Sequence, residues 1–553
     1  MTAEPRNQVR ERLAMRYRYI DGRMLLRLTE AGTTWLRTNQ QSVNNLNVFP
    51  IPDGDTGTNM LLTMQAALKE VESREERSIG KALHALAHGA LMGARGNSGV
   101  ILSQLWRGFA RALESIEEMD PPAFVQGLLE ARDTAYRGVG QPVEGTILTV
   151  SKDIATAAER ALSNGATSNL DILEAAVGAA EASVENTPNL LAVLKEAGVV
   201  DAGGKGLFFI LEGMLRAALG LGLEIPLSTV AAIDFQTISG LAGVIEPGQD
   251  WEVVVDFRPS GQVDLKAFVH DLTPLGTSIQ LGEGDGIVRM HIHVPDQTEF
   301  RPIEYCKQWG TVVNVHIENL MDQVEPGLKL HPVKPGQLGV VAVASGAGMA
   351  RVMASFGAAA IVEGGQTLNP STEEILAAVN GLPTDKVIVL PNNRNILLTA
   401  KQAAELSSKQ VEVVPALSMP QGIAALIRHD PDGDLAKTAA TMTAALQEIR
   451  SGELTRAVRS VVIEGMEVQQ GQVIALLDDR LICACDDLTE AVLGLLKAAR
   501  AGECEIITLY RGASLSAEAA AAIATRVRAA YPGQEAELVN GGQPHYDLLV
   551  SVE

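Results

Sequence analysis

Two aspartates stand two residues apart in the stretch NVFPIPDGDTGTNM, which runs from Asn47 to Met60. In an extended segment, residues i and i+2 point to the same side, so the carboxylates of Asp53 and Asp55 can face one ion or a pair of ions. Gly54 lies between them and lets the backbone approach a ligand closely. Carboxylate oxygens suit Mg²⁺, which is usually held by one or two carboxylates together with the phosphates of a substrate. The spacing therefore predicts a metal–phosphate site.

The segment after the aspartates favours the same hypothesis. It leads into the apolar-periodic run MLLTMQAALKEV, which predicts a helix. A helix start offers N–H groups and the positive end of the helix dipole, and both suit phosphate. Carboxylates would repel that phosphate unless a divalent cation neutralised both. The polar residues between Asp55 and the run are Thr56, Gly57, Thr58 and Asn59.

Two other interpretations of DGDTGTN involve no nucleotide. The first is a polar turn that caps the helix. The second is a calcium loop of the EF-hand type, which needs glycine at its sixth position and a bidentate acid at its twelfth. Those positions hold Thr58 and Met64, so the calcium loop is excluded. On these residues alone, the polar turn stays open.

Three further loops combine glycine with polar residues just before a predicted helix, namely GARGNSG at 93–99, GQPVEGT at 140–146 and VVDAGGKG at 199–206. Asn97 and Ser98 add hydrogen-bonding groups to the first loop, and Thr146 is a predicted helix cap in the second. Each loop alone is also typical of ordinary helix caps and glycine-rich turns. The chain has no GxxxxGK[ST] pattern, so a P-loop is excluded.

Helices must position these loops. From Met24 to about Leu223, apolar residues recur every three or four positions, in runs such as SIGKALHALAHGALMGA, which predicts an all-α domain over residues 20–225. The runs WEVVVDFR, GTSIQLGEGDG and IVRMHIHV predict strands of a smaller α+β domain at 230–325. The stretch EPGLKLHPVKPGQ at 325–337 contains three prolines and predicts a linker.

The last part of the chain has a different pattern. Runs such as LGVVAVASG, KVIVLPNN, VEVVPAL, VIALLDDRLICAC and CEIITLYRG are typical of buried strands, and helical stretches lie between some of them. This alternation predicts an α/β domain at 338–553. Two GGQ triplets, in EGGQTLNP at 363–370 and NGGQPHYD at 540–547, are interpreted as tight turns of two equivalent loops.

Composition excludes several classes of protein. The net charge of −22 disfavours nucleic acid and anionic membrane surfaces, whose phosphates demand basic patches. No run of about 18 apolar residues occurs, so no integral membrane insertion is expected. The N-terminal residues are charged without an apolar core, unlike a secretory signal. Four cysteines in 553 residues make no disulfide framework, so the sequence predicts a cytoplasmic protein with reduced thiols.

The stretch NVFPIPDGDTGTNM resembles the dihydroxyacetone-kinase nucleotide-binding family, and most closely its bacterial branch, the A subunits of fatty acid kinase. The resemblance spans essentially the whole chain. Further matching stretches, in the same order, are GARGNSGVILSQ, PVEGTILTV, LKEAGVVDAGGKG, VRMHIHV, VEGGQTLNPSTEEIL, LPNNRNI, PQGIAAL and GGQPHYDLLVSVE.

The resemblance implies that the first domain is a helical barrel that binds Mg–ATP. Asp53 and Asp55 match the aspartates that hold two Mg²⁺ on the phosphates, and Asn47 is the nearby candidate for a third ligand. Nucleotide contacts are implied for Thr56, Gly57, Thr58, Asn59, Gly96, Asn97, Ser98, Gly145, Thr146, Asp201, Ala202 and Gly203.

The resemblance also implies a reaction and a partner. The chain would transfer the γ-phosphate of ATP to the carboxylate of a fatty acid that a separate DegV-like protein presents. The C-terminal region resembles that partner's fold and, with the middle domain, would serve docking or the formation of a homodimer. Two alternatives stay open: a glycerone-type small-hydroxyketone kinase subunit, and a non-catalytic regulatory scaffold that senses nucleotide.

The middle domain carries a second candidate metal site. His291 and His293 alternate in a predicted strand, so both face one side. Related chains carry this HxH pattern with a nearby cysteine, which implies a structural metal such as Zn²⁺. Here the cysteine position holds Val254, and His316 or Cys306 would have to substitute for it.

Overall fold

The structure is a computed structural model, and it forms two compact units. One unit contains residues 1–225 together with 329–553, and the other contains residues 226–328. The residues that the structure describes are 6–47, 54–71, 76–139, 142–222, 251–261, 268, 271–284, 287–295, 298, 300–319, 328, 330–366, 369–457, 460–463 and 466–553. Asp53 therefore lies outside the described residues, as does most of the predicted boundary between the first two domains.

The first part of the larger unit is all-α, as the helical periodicity predicts. Its described helices are α1 Arg6–Arg16, α2 Gly22–Thr38, α3 Gln40–Leu46, α4 Thr56–Val71, α5 Ile79–Met92, α6 Gly96–Ala112, α7 Pro121–Gly138, α8 Ile147–Ser163, α9 Asn169–Leu190, α10 Ala192–Ala197 and α11 Ala202–Ala218. Polar caps define several starts: Asp21 accepts from the Met24 N–H in α2, and Ser168 forms a capping box at α9. Within the described residues, none of these helices is long and apolar enough to cross a membrane.

One apolar core holds these helices together. Four different helices contribute side chains that are at most 1% exposed, namely Leu36, Met60, Leu83 and Leu102. Burying such a side chain contributes about 1.5–3 kcal/mol. The centre of the core is not completely filled: an apolar cavity of about 110 Å³ lies among the helices and is lined by residues such as Leu105.

The smaller unit is α+β, as predicted. Strands β1 Trp251–Pro259, β2 Thr277–Gly284, β3 Ile287–Val294 and β4 Gly310–Asn319 form an antiparallel sheet in the order β2-β3-β1-β4, and a helix spans Arg301–Trp309. Alternate residues of β3, including Met290 and Ile292, are buried with Cys306 of the helix. This period of two is the pattern of a sheet that is covered on one face.

The C-terminal part begins with a parallel sheet. Strands β5 Leu338–Ala344, β6 Ala360–Glu363, β7 Lys386–Leu390 and β8 Gln410–Val413 pair in the order β6-β5-β7-β8. The helices of this region are Ala347–Ser355, Thr372–Gly381, Leu397–Leu406, Met419–Ile427 and Leu435–Ala445. Every residue of β5 is buried, because helices cover both faces of a parallel sheet, and this explains its continuous apolar sequence.

A second, mixed sheet completes the region. Its strands are β9 Arg450–Arg456, β12 Val473–Leu477, β13 Arg480–Cys485, β14 Ile506–Arg511, β15 Glu535–Asn540 and β16 Leu548–Val552, in the order β13-β12-β9-β16-β14-β15. A separate hairpin pairs β10 Val461–Ile463 with β11 Met466–Val468, and helices span Leu488–Ala498 and Ala517–Ala530. The predicted α/β class of this region is confirmed.

The prediction that the run VIALLDDRLICAC forms a single strand was wrong. It forms two antiparallel strands, β12 and β13, which are joined at Asp478 and Asp479. Both aspartates have positive φ, 49° and 66°, as a tight hairpin turn requires. Both GGQ triplets lie outside helices and strands, and Gly364, Gly365, Gln366 and Gln543 line one polar cleft between the two sheets. Their interpretation as tight turns of equivalent loops stays a prediction.

Candidate functional site

Four helices begin at one end of the helical domain. These are α4, α6, α8 and α11, and the predicted nucleotide loops lead into them. Gly206 of α11 packs directly on α4, since a Cβ built there would lie 2.5 Å from Sδ of Met60. Gly203 at the α11 start likewise faces Ile147 of α8, with 3.3 Å between the two Cβ positions. Helix starts gathered in this way concentrate N–H groups and positive dipole ends, which suit a phosphate ligand.

Asp55 is the buried acid of this cluster. It directly precedes α4, its carbonyl accepts from the Asn59 N–H at 2.8 Å, and the residue is only 6% exposed. Burial raises the pKa of the carboxyl to about 6, although hydrogen bonds from the Asn59 and Asn369 side chains act in the opposite direction. A carboxylate that is buried without a cation is costly, so this position favours a positively charged ligand.

The residues after Asp55 form the first turn of α4. Gly57 and Asn59 are buried there, and Thr58 forms hydrogen bonds with residues of α3. The Thr58 hydroxyl accepts from Gln40 at 2.8 Å and from Asn44 at 3.1 Å, while its N–H donates to Oδ1 of Asn44 at 3.2 Å. These bonds fix α3 against α4. Nucleotide contacts by Thr56, Gly57, Thr58 and Asn59 stay a prediction.

Gly96, Asn97 and Ser98 form the first turn of α6. The residue before them, Arg95, makes no side-chain hydrogen bond that caps this turn. Gly96 has φ of +57°, and a Cβ built on it would lie 2.7 Å from Nδ2 of Asn59. The first turns of α6 and α4 are thus in direct contact, so the structure brings these two predicted segments together.

Alanine at Gly96 is expected to lower nucleotide affinity at least tenfold. The left-handed backbone costs an L-residue about 1–2 kcal/mol, and the added methyl group must also displace Asn59, which hydrogen-bonds Asp55. Gly220→Ala is the matched control, because Gly220 has φ of +70°, lies after the far end of α11 and has open space around it. Gly220→Ala should lose stability in urea through the backbone strain alone, Gly96→Ala should lose at least as much, and only Gly96→Ala should weaken binding in nucleotide titrations. Equal affinities in the two variants would contradict this role.

The remaining predicted loops are closed by their own caps. Thr146 caps α8 by accepting from the Leu148 N–H at 3.4 Å, and Gly145 before it has φ of +84°. Asp201 caps α11 by accepting from the Gly204 N–H at 2.6 Å. Burial raises the pKa of Asp201 to about 6, and that hydrogen bond opposes the shift. Ala202 and Gly203 follow in the first turn, and nucleotide contacts from this group stay a prediction.

Asn369 reaches this cluster from the C-terminal domain. Its Nδ2 donates to Oδ2 of Asp55 at 2.5 Å, and the residue is 2% exposed. The guanidinium of Arg95 donates to the Asn369 carbonyl at 2.8 Å and pairs with Glu374 at 3.2 Å. Asn97 also donates, at 3.3 Å, to Oδ1 of Asn395. The C-terminal domain therefore lies directly against the helix starts.

Sequence reasoning did not identify Asn369, Arg95 or Glu374 as site residues. The available signal was the family-matching stretch VEGGQTLNPSTEEIL, which holds Asn369 and Glu374. Its conspicuous GGQ triplet was interpreted as a turn, and nothing local marks the asparagine three residues later. The partner of Asn369 lies 314 residues away in sequence.

The residues present fit Mg²⁺. Asp55 supplies a buried carboxylate, and Oδ1 of Asn369 is a buried amide oxygen without a hydrogen-bond partner. In the described part of the chain, no three His, Cys, Asp or Glu side chains group to hold a metal. Few protein ligands suit Mg²⁺, which keeps several waters and shares its remaining positions with phosphate. Asn47, the other candidate, ends α3, where its N–H donates to the Asn44 carbonyl.

The candidate zinc site of the middle domain stays a prediction. In the strand register, Val254 of β1 lies opposite both His291 of β3 and His316 of β4, while His293 lies opposite Glu252. Cys306 is fully buried among apolar residues, and burial raises its thiol pKa to about 12. Cys306 therefore packs within the apolar core of the smaller unit.

Comparisons with known proteins agree on one family. The model for the C-terminal region of FakA-like proteins, the A-type subunits of fatty acid kinase, matches residues 339–553. The FakA-like middle-domain model matches 247–326, and the DAK2 domain matches 50–216. An uncharacterized protein from Staphylococcus haemolyticus is 37% identical over 552 residues, which covers 97% of this chain and 99% of that one. An uncharacterized protein from Staphylococcus aureus is 37% identical over 550 residues, with the same coverage.

Two solved structures show weaker similarity. A DegV family protein from Corynebacterium glutamicum has a TM-score of 0.31 and 16% identity, and it covers 39% of this chain and 96% of its own. A DegV family protein from Thermus thermophilus, described with fatty acid binding, has a TM-score of 0.29 and 15% identity, with 39% and 99% covered. The family matches extend over all three regions of the sequence, and on that ground the chain belongs to the FakA-like family of fatty acid kinase subunits.

Proposed function

We propose that this chain is the ATP-binding subunit of a fatty acid kinase. It transfers the γ-phosphate of ATP to the carboxylate of a fatty acid that a separate DegV-like protein presents, and it releases acyl phosphate and ADP. The observation that carries the proposal is the buried Asp55 carboxylate at a cluster of four helix starts. The family supports a kinase subunit, and an enzyme that is described by its subunits implies at least one further protein.

The site divides into two parts with different chemistry. The first turn of α6 lacks a side-chain cap, and the first turn of α4 follows the Asp55 carboxylate, so these turns suit the phosphates and their cation. The starts of α8 and α11 are capped by Thr146 and Asp201, so they offer surfaces for the rest of the nucleotide. Bound Mg²⁺ would neutralise phosphate charge and polarise the γ-phosphoryl group.

The reaction itself asks little acid–base chemistry of the chain. A fatty acid carboxylate is already ionised at neutral pH, so it needs no general base. Its oxygen attacks the γ-phosphorus, the bond from that phosphorus to the bridging oxygen breaks, and ADP leaves with the electron pair. The tasks left to the protein are positioning and charge stabilisation, which dominate phosphoryl transfer. Asp55 and the helix starts are suited to both.

The two alternatives make different demands. A glycerone-type kinase transfers phosphate to a hydroxyl group, which must lose a proton, so it requires a base in the subunit that holds the ketone. A nucleotide-sensing scaffold requires binding without turnover. The buried acid beside a cluster of helix starts favours catalysis over sensing, because burial of a carboxylate without a cation reduces stability and a metal–phosphate site would remove that cost.

A phosphoryl-transfer assay separates the three functions. The purified chain is mixed with Mg–ATP and, separately, with each DegV-like protein of the same genome loaded with fatty acid, or with dihydroxyacetone. ADP is followed continuously, and acyl phosphate is trapped as its hydroxamate with hydroxylamine. Hydroxamate that appears only with a loaded partner supports the proposal. Phosphorylated ketone would establish the second function, and nucleotide binding without any product would establish the third.

A further inference from the structure

Two buried amides of the C-terminal domain reach the helical domain. Nδ2 of Asn369 donates to the Asp55 carboxylate, and Nε2 of Gln402 donates to the Leu91 carbonyl at 2.9 Å. Asn369 is 2% and Gln402 5% exposed, and in both the amide oxygen has no hydrogen-bond partner. A buried amide oxygen without a hydrogen-bond partner destabilises the fold.

The two amides differ in what lies beside them. Gln402 donates to a neutral backbone carbonyl, so its contact with the helical domain involves no charged group. The Asn369 amide nitrogen donates to the Asp55 carboxylate, and the unpartnered amide oxygen belongs to the same planar group as that nitrogen. Carboxylate and amide oxygens are both hard ligands of the kind that divalent cations bind.

The backbone from Asn369 to Thr372 contacts the helical domain at three places. Ser371 forms an antiparallel bridge with Arg95, and the Thr372 N–H donates to the Ala94 carbonyl at 3.2 Å. The Arg95 guanidinium holds the carbonyl of Asn369 itself at 2.8 Å. Residues on rigid, doubly anchored backbone hold a ligand geometry more accurately than residues on a free loop.

We infer that Asn369 is a positioning residue of the metal–nucleotide site: its amide orients Asp55, and its free oxygen serves the divalent cation directly or through a bound water. The nucleotide site is therefore built by two domains, and it is complete only when the C-terminal domain is seated on the helix starts. This inference rests on the proposed function, because it requires that the cluster hold a divalent cation with nucleotide.

The test compares three variants of the full chain. Asn369→Ala removes both the donor to Asp55 and the free oxygen. Asn369→Asp keeps the shape but places a second carboxylate beside Asp55, which Mg²⁺ then has to neutralise. Gln402→Ala removes the other buried amide from the same interface and is the matched control. For each, Mg²⁺ is titrated at a fixed concentration of a non-hydrolysable ATP analogue, and the melting temperature is followed with and without EDTA.

Asn369→Ala is expected to raise the Mg²⁺ concentration for half-saturation about 10–100-fold, the usual effect of losing a residue that orients a metal ligand. Asn369→Asp is expected to melt lower than wild type in EDTA, because of like-charge repulsion, and to gain more from Mg²⁺ than wild type does. Gln402→Ala is expected to melt lower at every Mg²⁺ concentration, with half-saturation within about twofold of wild type.

The outcomes separate this inference from the proposed function. A wild type that shows no Mg²⁺-dependent nucleotide binding overturns both. A wild type that binds, together with Asn369 variants whose half-saturation matches that of Gln402→Ala, overturns only the inference and reduces Asn369 to an interface residue. If Asn369→Ala fails to fold, the decision passes to Asn369→Asp: a gain from Mg²⁺ no larger than that of wild type rejects the inference.

Discussion

Replacing Asp55 with asparagine is expected to lower phosphoryl transfer about 10³-fold or more and, at the same time, to stabilise the metal-free protein at neutral pH. The loss of activity follows because a bound divalent cation supplies several kcal/mol of charge stabilisation, and about 1.4 kcal/mol corresponds to a tenfold change in rate. A neutral amide holds a divalent cation more weakly than a carboxylate does, so the cation that would offset the phosphate charge is bound less tightly. The gain in stability has a separate cause, which is the burial of the carboxylate.

The sign of the stability change follows from the pKa of Asp55. Burial raises this pKa from 3.8 to about 6, so ionisation is harder in the folded protein than in the unfolded chain. The resulting penalty is absent below the unfolded-state pKa, grows between the two values and is complete above the folded-state pKa. Because one pKa unit corresponds to about 1.4 kcal/mol, the penalty is at most about 3 kcal/mol. Asparagine has the same shape and escapes it.

Urea denaturation in EDTA across this pH range measures the effect. The unfolding free energy of Asp55→Asn relative to wild type should rise as pH increases through the window and level off above the folded-state pKa. Asp120→Asn is the control, since Asp120 caps α7 by accepting from the Ala123 N–H at 2.9 Å, and asparagine caps equally well. Full activity in Asp55→Asn, or a variant less stable than wild type at neutral pH, would refute the assignment.

The fold class could be predicted from the sequence because local patterns of apolar residues determine it. The periodic runs of the first domain form helices α2 and α5–α8, and the apolar run LGVVAVASG forms the fully buried strand β5. The hairpin at Asp478 and Asp479 was missed because a turn of two aspartates gives a weaker signal than Asn-Gly or Asp-Gly. Only the positive φ of both residues, a property of the folded backbone, reveals it.

Only part of the candidate site could be predicted from the sequence. The spacing of Asp53 and Asp55, and the polar helix starts, predicted a set of nucleotide loops, and the structure places four of the helix starts that follow them at one end of the helical domain. The burial of Asp55 was not predictable, because a polar loop such as DGDTGTN normally lies at the surface. Another domain contributes to that burial, through Asn369. Contacts of this kind depend on how domains pack, and no local pattern encodes them.

The second prediction concerns the acyl substrate: this chain alone is expected to phosphorylate free oleate at least about 10³-fold more slowly than oleate bound to a DegV-like partner. A fatty acid tail gains roughly 0.8 kcal/mol for each methylene that leaves water, so an efficient enzyme must bury the tail somewhere. Presentation of the carboxylate at a fixed position then supplies the orientation that such transfers require. Neither is available from the glycine-rich helix starts around Asp55.

The helical domain does contain an apolar space, the cavity of about 110 Å³ lined by residues such as Leu105. Among the described residues, no charged side chain lines it, so the cavity offers no cationic side chain to pair with the carboxylate of a fatty acid. The cavity therefore does not replace a partner that buries the tail and exposes the carboxylate.

The experiment mixes the pure chain with Mg–ATP and oleate below its critical micelle concentration, with and without the partner. Acyl phosphate is trapped with hydroxylamine and quantified as hydroxamate. Partner without fatty acid, and loaded partner with Asp55→Asn, are the two blanks. The chain carries a net charge of −22, so a free carboxylate must approach ATP against repulsion that only a well-placed cation offsets. Rapid acyl phosphate formation without partner would contradict this prediction and place an acyl site within this chain. The cavity lined by Leu105 would then be the candidate site, and bulky substitutions among its lining residues would be expected to stop the reaction.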